Sequence, residues 1–144
     1  MEAGLSGSNE EEDEDMSVLA EFLNLLADTV ENHCDLEYEI SLEELKADGG
    51  IYAELGEGFT ATEYYDKSTL KTIPVLFMCR DKSQQTCMEQ LCKICDYLQR
   101  LKEYPSGDTF AWKDVTIAKE PSKIGRDEGG MYHYSCILNC RIFY

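Results

Sequence analysis

Between Asp81 and Tyr104 the apolar residues keep a helical rhythm. Cys87, Leu91, Ile94, Leu98 and Leu101 recur at spacings of four, three, four and three, which places them in one stripe on one helical face. Met88, Cys92 and Cys95 widen that stripe, while Gln85, Glu89, Lys93, Asp96 and Arg100 mark the wet side. Asp81 and Ser83 are good caps for the free N–H groups of a first turn, and Pro105 and Gly107 stop the pattern. The spacing predicts a helix over 83–103, about 30 Å long, lying across an apolar surface. Upstream, Val18, Phe22, Leu25, Leu26, Thr29 and Val30 share a face, so a second helix is expected from Ser17 to His33.

The rest of the chain alternates with a period of two. Leu36, Tyr38 and Ile40 alternate with Glu37 and Glu39, the pattern of a half-buried strand. Strands are also expected at 51–55 and 59–65, with turns at Gly56-Glu57-Gly58 and Asp66-Lys67-Ser68. A strand is expected over 70–80, with Val75-Leu76-Phe77-Met78-Cys79 apolar on both faces as in a central strand, and Pro74 near the start, where a missing donor matters less. Phe110, Trp112, Val115 and Ile117 lie in a strand over 108–118. Pro121 and the run GRDEGG then mark a surface loop and hairpin tip. The last strand spans 131–144, with Tyr132, Tyr134, Cys136, Leu138, Cys140 and Ile142 on one side. Strands set around two helices predict an α+β fold, a mostly antiparallel sheet packed against the helices.

Composition adds a boundary and a charge. The first fifteen residues hold seven acids and no base; they read as a disordered acidic leader, with Met16 as an alternative start. Residues 16–144 then form a single α+β domain. The net charge is −16, and removing the leader leaves 22 acids against 13 bases, still −9. Tight nucleic-acid binding and anionic membranes are both disfavoured, because each needs Lys and Arg. No apolar run reaches the length of a membrane span.

Seven cysteines invite a search for chemistry. Cys92-Lys93-Ile94-Cys95 is a C-x-x-C, but it sits mid-helix, not at the helix N-terminus where a thiol pKa falls. As a zinc half-site it needs a second ligand pair; Cys136 and Cys140 share a strand face but lie ~13 Å apart. Core packing of reduced thiols is the simpler reading, with no metal. Cys79 or Cys87 with His133 can be drawn as a thiol–imidazole pair, against the ordinary reading of His133 as a structural strand residue. Glu37, Glu39, Glu43 and Glu44 match no cation-loop spacing and read as a solvated face. No P-loop, G-x-G-x-x-G, G-x-S-x-G or H-E-x-x-H occurs. No catalytic residue and no cofactor are assigned. The nine tyrosines have two readings, ordinary strand composition or interface anchors. Tyr64, Tyr65 and the strand of Trp112 are the candidates for an oligomer interface.

The segment 94–108, followed by Phe110-Ala111-Trp112, resembles the minor capsid proteins of tailed bacteriophages and of prophages of Gram-positive bacteria. Pro74-Val75-Leu76-Phe77 and Tyr134-Ser135-Cys136-Ile137 are similar as well. The likeness runs from about Met16 to the C-terminus. It implies a tail-terminator-like fold and a non-enzymatic, head–tail joining role: a homo-oligomeric ring, hexameric in tail terminators, that contacts the tail tube and head-connector proteins. It also implies a place in the virion, after synthesis in the bacterial host cytoplasm. The alternative from another class is a small acidic inhibitor or immunity-type protein that captures a basic partner.

Overall fold

The computed structural model describes residues 3–56, 60–65 and 68–144. Helix α1 (Ala3–His33) precedes strands β1 (Ile40–Ser41), β2 (Gly50–Leu55), β3 (Thr60–Glu63) and β4 (Thr69–Asp81). Helix α2 (Gln84–Arg100) and strands β5 (Ala111–Arg126) and β6 (Tyr132–Phe143) complete the chain. The six strands form one sheet in the order β1-β2-β4-β6-β5, with β3 also paired to β4. Among the described residues, β1–β2 is the one parallel pair. The expected α+β fold, a mostly antiparallel sheet with two helices, is the observed one.

Period two on β4 and β6 decides which face is covered. Ile73, Val75, Phe77 and Cys79 on β4, and Cys136, Leu138, Cys140 and Ile142 on β6, are buried. They meet the α2 stripe, where Cys87, Leu91, Ile94 and Leu98 are fully buried. Helix α1 adds Phe22, Leu26 and Val30 to the same core. Phe22 stands edge-on to Phe110 and Trp112, with ring centroids 5.7 and 5.2 Å away. The Glu21 carboxylate accepts from the backbone N–H groups of Asp108 and Thr109, at 2.5 and 3.3 Å. Gly107 lies beneath this contact, where a Cβ would collide with the Phe110 ring and the Glu21 carboxylate.

Several boundaries differ from the sequence reading for identifiable reasons. Helix α1 extends upstream of Ser17 through the acid run, whose glutamates are good helix formers. The strand expected over 36–40 shrinks to Ile40–Ser41, although side-chain burial alternates as expected. Its N–H groups are taken by helix side chains: Glu37 donates to Gln90 Oε1 at 2.8 Å and Ile40 to Glu31 Oε1 at 2.6 Å. Asp35, with φ 51°, sets the bend after α1. Helix α2 is capped by Ser83, whose hydroxyl accepts from the Thr86 N–H. It ends before 103 because Leu101 is extended and the Tyr104 hydroxyl donates to the Leu98 carbonyl at 2.5 Å. Strand β5 runs through Pro121 to Arg126, well past 118. It is an edge strand with register shifts on both sides of Pro121, where a proline is tolerated. The expected hairpin tip is there, with Gly130 at φ 81°.

Strand β4 is central as expected, with β6 on one side and both β2 and β3 on the other. Pro74 sits where that second side changes partner, between Val75 opposite Leu55 and Thr72 opposite Thr60. Its carbonyl accepts from the Gly56 N–H at 2.7 Å, so its missing donor faces the break between β2 and β3. The turns expected at Gly56-Glu57-Gly58 and Asp66-Lys67-Ser68 lie partly outside the described residues.

Candidate functional site

Both helices pack on one face of the sheet, which leaves the other face open. The open face presents the even residues of β2 and β4 and the odd residues of β6. Register places Glu54, Leu76 and Ile137 in one row across three strands, and Tyr52, Met78 and Ser135 in the next. Leu76, Met78 and Ile137 are only half-buried there. Leu76, Ile137, Pro74 and Ala118 line a groove of about 630 Å³, together with Glu54 and Asn139.

Two carboxylates near this face hold arginines, while Glu54 accepts from the Tyr52 hydroxyl at 2.9 Å. Arg141 grips Asp114 through two hydrogen bonds, Nε donating to Oδ1 at 2.7 Å and Nη2 to Oδ2. That guanidinium holds the Asp114 carboxyl below its ordinary range. At the β5–β6 hairpin, Asp127 collects three partners: His133 Nε2 at 3.0 Å, the Met131 N–H at 3.0 Å, and Arg80 Nη2. His133 first, then the Met131 N–H, draw the Asp127 carboxyl down to about 2.

Beyond the Arg141–Asp114 pair lies an aromatic cluster. Tyr64 is 46% exposed, Phe143 is 38% exposed, and Tyr65 projects fully into solvent. The Tyr64 and Phe143 rings are 5.8 Å apart. Two of the three interface candidates from the sequence, Tyr64 and Tyr65, are therefore brought together at the surface. Trp112 is not with them. It is 4% exposed, edge-on to Phe22 and 5.0 Å from the Tyr104 ring, and its indole N–H has no acceptor. Its strand does lie at the sheet edge, so β5 keeps the candidate role while the indole itself belongs to the core. Phe143, Leu76 and Ile137 were missed as site residues. For two of them the signal was present: Ile137 and Phe143 are the apolar residues of a β6 face otherwise carrying His, Ser, Asn and Arg, while Leu76 lies on β4.

The cysteines assemble no reactive centre. All seven are free, and six of them are buried. Burial pushes the Cys34 thiol up to about 11, and Cys79 and Cys140 upward as well. Cys95 and Cys136 lie with sulfurs 3.7 Å apart, which lowers the Cys95 thiol and raises its partner. The thiol–imidazole pairing is excluded by the sheet itself. Cys79 and Cys87 are on the helix side, whereas His133 faces Asp127 on the open side. Glu37, Glu39, Glu43 and Glu44 are exposed, and among the described residues no group of three or more acids, cysteines or histidines could hold a metal ion. No described helix is long and apolar enough to cross a membrane.

No match emerges among curated proteins. A family model, that of the bacteriophage tail terminator protein, matches residues 40–143. The match opens at the first residue of β1 and closes at the last residue of β6, so it takes in the whole sheet, its open face and α2. The chain belongs to the bacteriophage tail terminator protein family.

Proposed function

We propose that the chain is a non-enzymatic subunit that forms a homo-oligomeric ring at the head–tail junction, joining the tail tube to the head connector. The broader statement, a structural protein of the phage head–tail region, follows from family membership. The observation that carries the finer reading is the family match across every strand of a sheet whose outer face is open. A subunit between two other assemblies needs docking surfaces and no reaction centre. Its acidic surface suits a ring through which DNA passes, because it repels phosphate instead of gripping it. The proposed location is the virion, with minor capsid protein as the coarser description.

The test removes the gene from an inducible prophage. Full heads and separate tails of uncontrolled length, unable to join, are the expected products. Normal infectious particles would overturn the assignment and bring forward an acidic inhibitor that captures a basic partner.

A further inference from the structure

Helix α2 and strand β6 each turn a cysteine into the layer between them. Cys95 belongs to the buried stripe of α2 and Cys136 to the covered face of β6. Their sulfurs are 3.7 Å apart, at van der Waals contact, and each is the other's hydrogen-bond partner. Other buried thiols are turned to backbone oxygens instead. Cys34 donates to the Lys93 carbonyl at 3.8 Å, and Cys87 reaches the carbonyls of Cys79 and Tyr132 at 3.6 and 3.7 Å. A disulfide bond measures about 2.05 Å, so the pair lacks about 1.7 Å of closure, which side-chain torsions can supply.

We propose that Cys95 and Cys136 are an oxidation site: a peroxide closes them into a disulfide that staples α2 to β6. Such a staple acts on the folded subunit and does not depend on ring formation. The contact assigns the roles. Cys136 draws the Cys95 thiol down, against burial and the charges of Glu120 and Asp96, while the same contact and burial drive the Cys136 thiol up. Cys95 therefore supplies the attacking thiolate, and Cys136 keeps its proton. The thiolate attacks one oxygen of the peroxide, the O–O bond breaks, hydroxide leaves, and Cys95 becomes a sulfenic acid. The Cys136 sulfur then bonds to the Cys95 sulfur and displaces that oxygen, which leaves as water with the Cys136 proton. Hydroxide takes up the proton that Cys95 lost on ionising. Two thiols and one hydrogen peroxide thus give one disulfide and two waters.

The two positions lie 41 apart in sequence, with β5 between them. A cross-link over so long a loop restrains the unfolded chain strongly. It also ties α2 covalently to an inner strand of the sheet. In a reducing compartment the pair stays open, and in oxidising surroundings it closes. Cys95 is 2% exposed and Cys136 is fully buried, so the oxidant enters by local opening of α2 and closure is slow. Half-buried Cys92 meets the oxidant without that delay.

The test uses the full chain in a Cys92→Ser background, which removes the most accessible thiol. The protein is purified under reductant, freed of it and treated with hydrogen peroxide. Treatment is made both in buffer and in urea below the unfolding midpoint, which admits the oxidant. Unreduced peptides are then mapped by mass spectrometry. A Cys95–Cys136 cross-link is expected, with a melting temperature raised by about 5–15 °C and restored by dithiothreitol. With Cys136→Ser the cross-link and the rise should both vanish, and dimedone should trap Cys95 as a sulfenic acid. If Cys136→Ser melts early, Cys95→Ser is the second probe; it should lose both and leave no sulfenic acid at Cys136. Thiols at Cys95 and Cys136 that survive peroxide in urea, a cross-link that joins other cysteines in their place, or closure that lowers the melting temperature would each overturn the staple.

Discussion

Phe22→Ala tests whether α1 belongs to the same folding unit as the sheet. The family match begins at residue 40, so α1 lies wholly ahead of it. Yet Phe22 is fully buried and set edge-on to both Phe110 and Trp112. Truncating a core phenylalanine costs about 3–5 kcal/mol, through lost burial and the cavity left behind. The two edge-on ring contacts favour the upper part of that range. For a domain of this size, about 4 kcal/mol lowers the melting temperature by about 10–20 °C. Circular dichroism melts and urea titrations measure it. Phe22→Leu, which keeps most of the volume, should cost less than about 1.5 kcal/mol. Deleting residues 1–15 is the matching control. We propose that this acidic leader stands apart from a 16–144 domain, so its removal leaves the melt unchanged. A Phe22→Ala loss below about 1 kcal/mol would refute the packing argument. A smaller urea slope in that variant would show α1 detaching by itself, outside the cooperative unit.

Trp112→Phe should change stability by less than about 1.5 kcal/mol in a urea titration, because it removes an indole N–H that lacks an acceptor along with some ring area. Asp127 is depressed from 3.8 to about 2 in the folded chain, so its stabilisation is present above pH 4 and is lost as pH falls from about 4 to about 2. Asp127→Asn should therefore lower the melting temperature at neutral pH and flatten its decline across that acid window; an unchanged acid profile would contradict the Asp127 network. In thiol titration, half-buried Cys92 should react first in the native state and all seven cysteines in denaturant. Bound zinc near one per chain after dialysis would contradict the reading of the cysteines as core.

Much of the fold was legible because two periodicities carried it. The 4-3-4-3 stripe of α2 and the period-two burial of β6 each match one partner surface, so pattern and packing agree. The sequence reading lost ground where side chains took over backbone work. Gln90 and Glu31 hold the N–H groups of residues 37 and 40, and no local pattern announces a bond across 53 positions. Edge position was equally hidden. Pro121 reads as a loop signal in isolation, and only the strand order shows an edge with bulges that tolerate it. The candidate surface was half legible. Tyr64 and Tyr65 stood out by composition, but Trp112 looked the same in sequence and is a core residue. A strand aromatic shows its face only when the helices it packs beneath are known.

On the open face Asp114 meets Arg141 of the neighbouring strand β6, and Asp127 of the hairpin meets Arg80 of β4, while among the described residues Glu54 has no cation. On the helix layer exposed Asp28, Glu31, Glu89 and Asp96 stand beside Lys93 and Arg100, and the exposed loop carrying Glu37, Glu39, Glu43 and Glu44 adds further acids. In the proposed ring this acidic surface faces outward or lines a passage. In either position it disfavours adhesion to nucleic acid. The net charge makes assembly of the proposed ring depend on conditions. Apolar docking is short-ranged, whereas repulsion among chains of −16 reaches across a Debye length of about 10 Å at moderate salt. For the proposed ring, this would keep a free subunit from closing prematurely, and a surface that already holds several subunits close together would tip the balance.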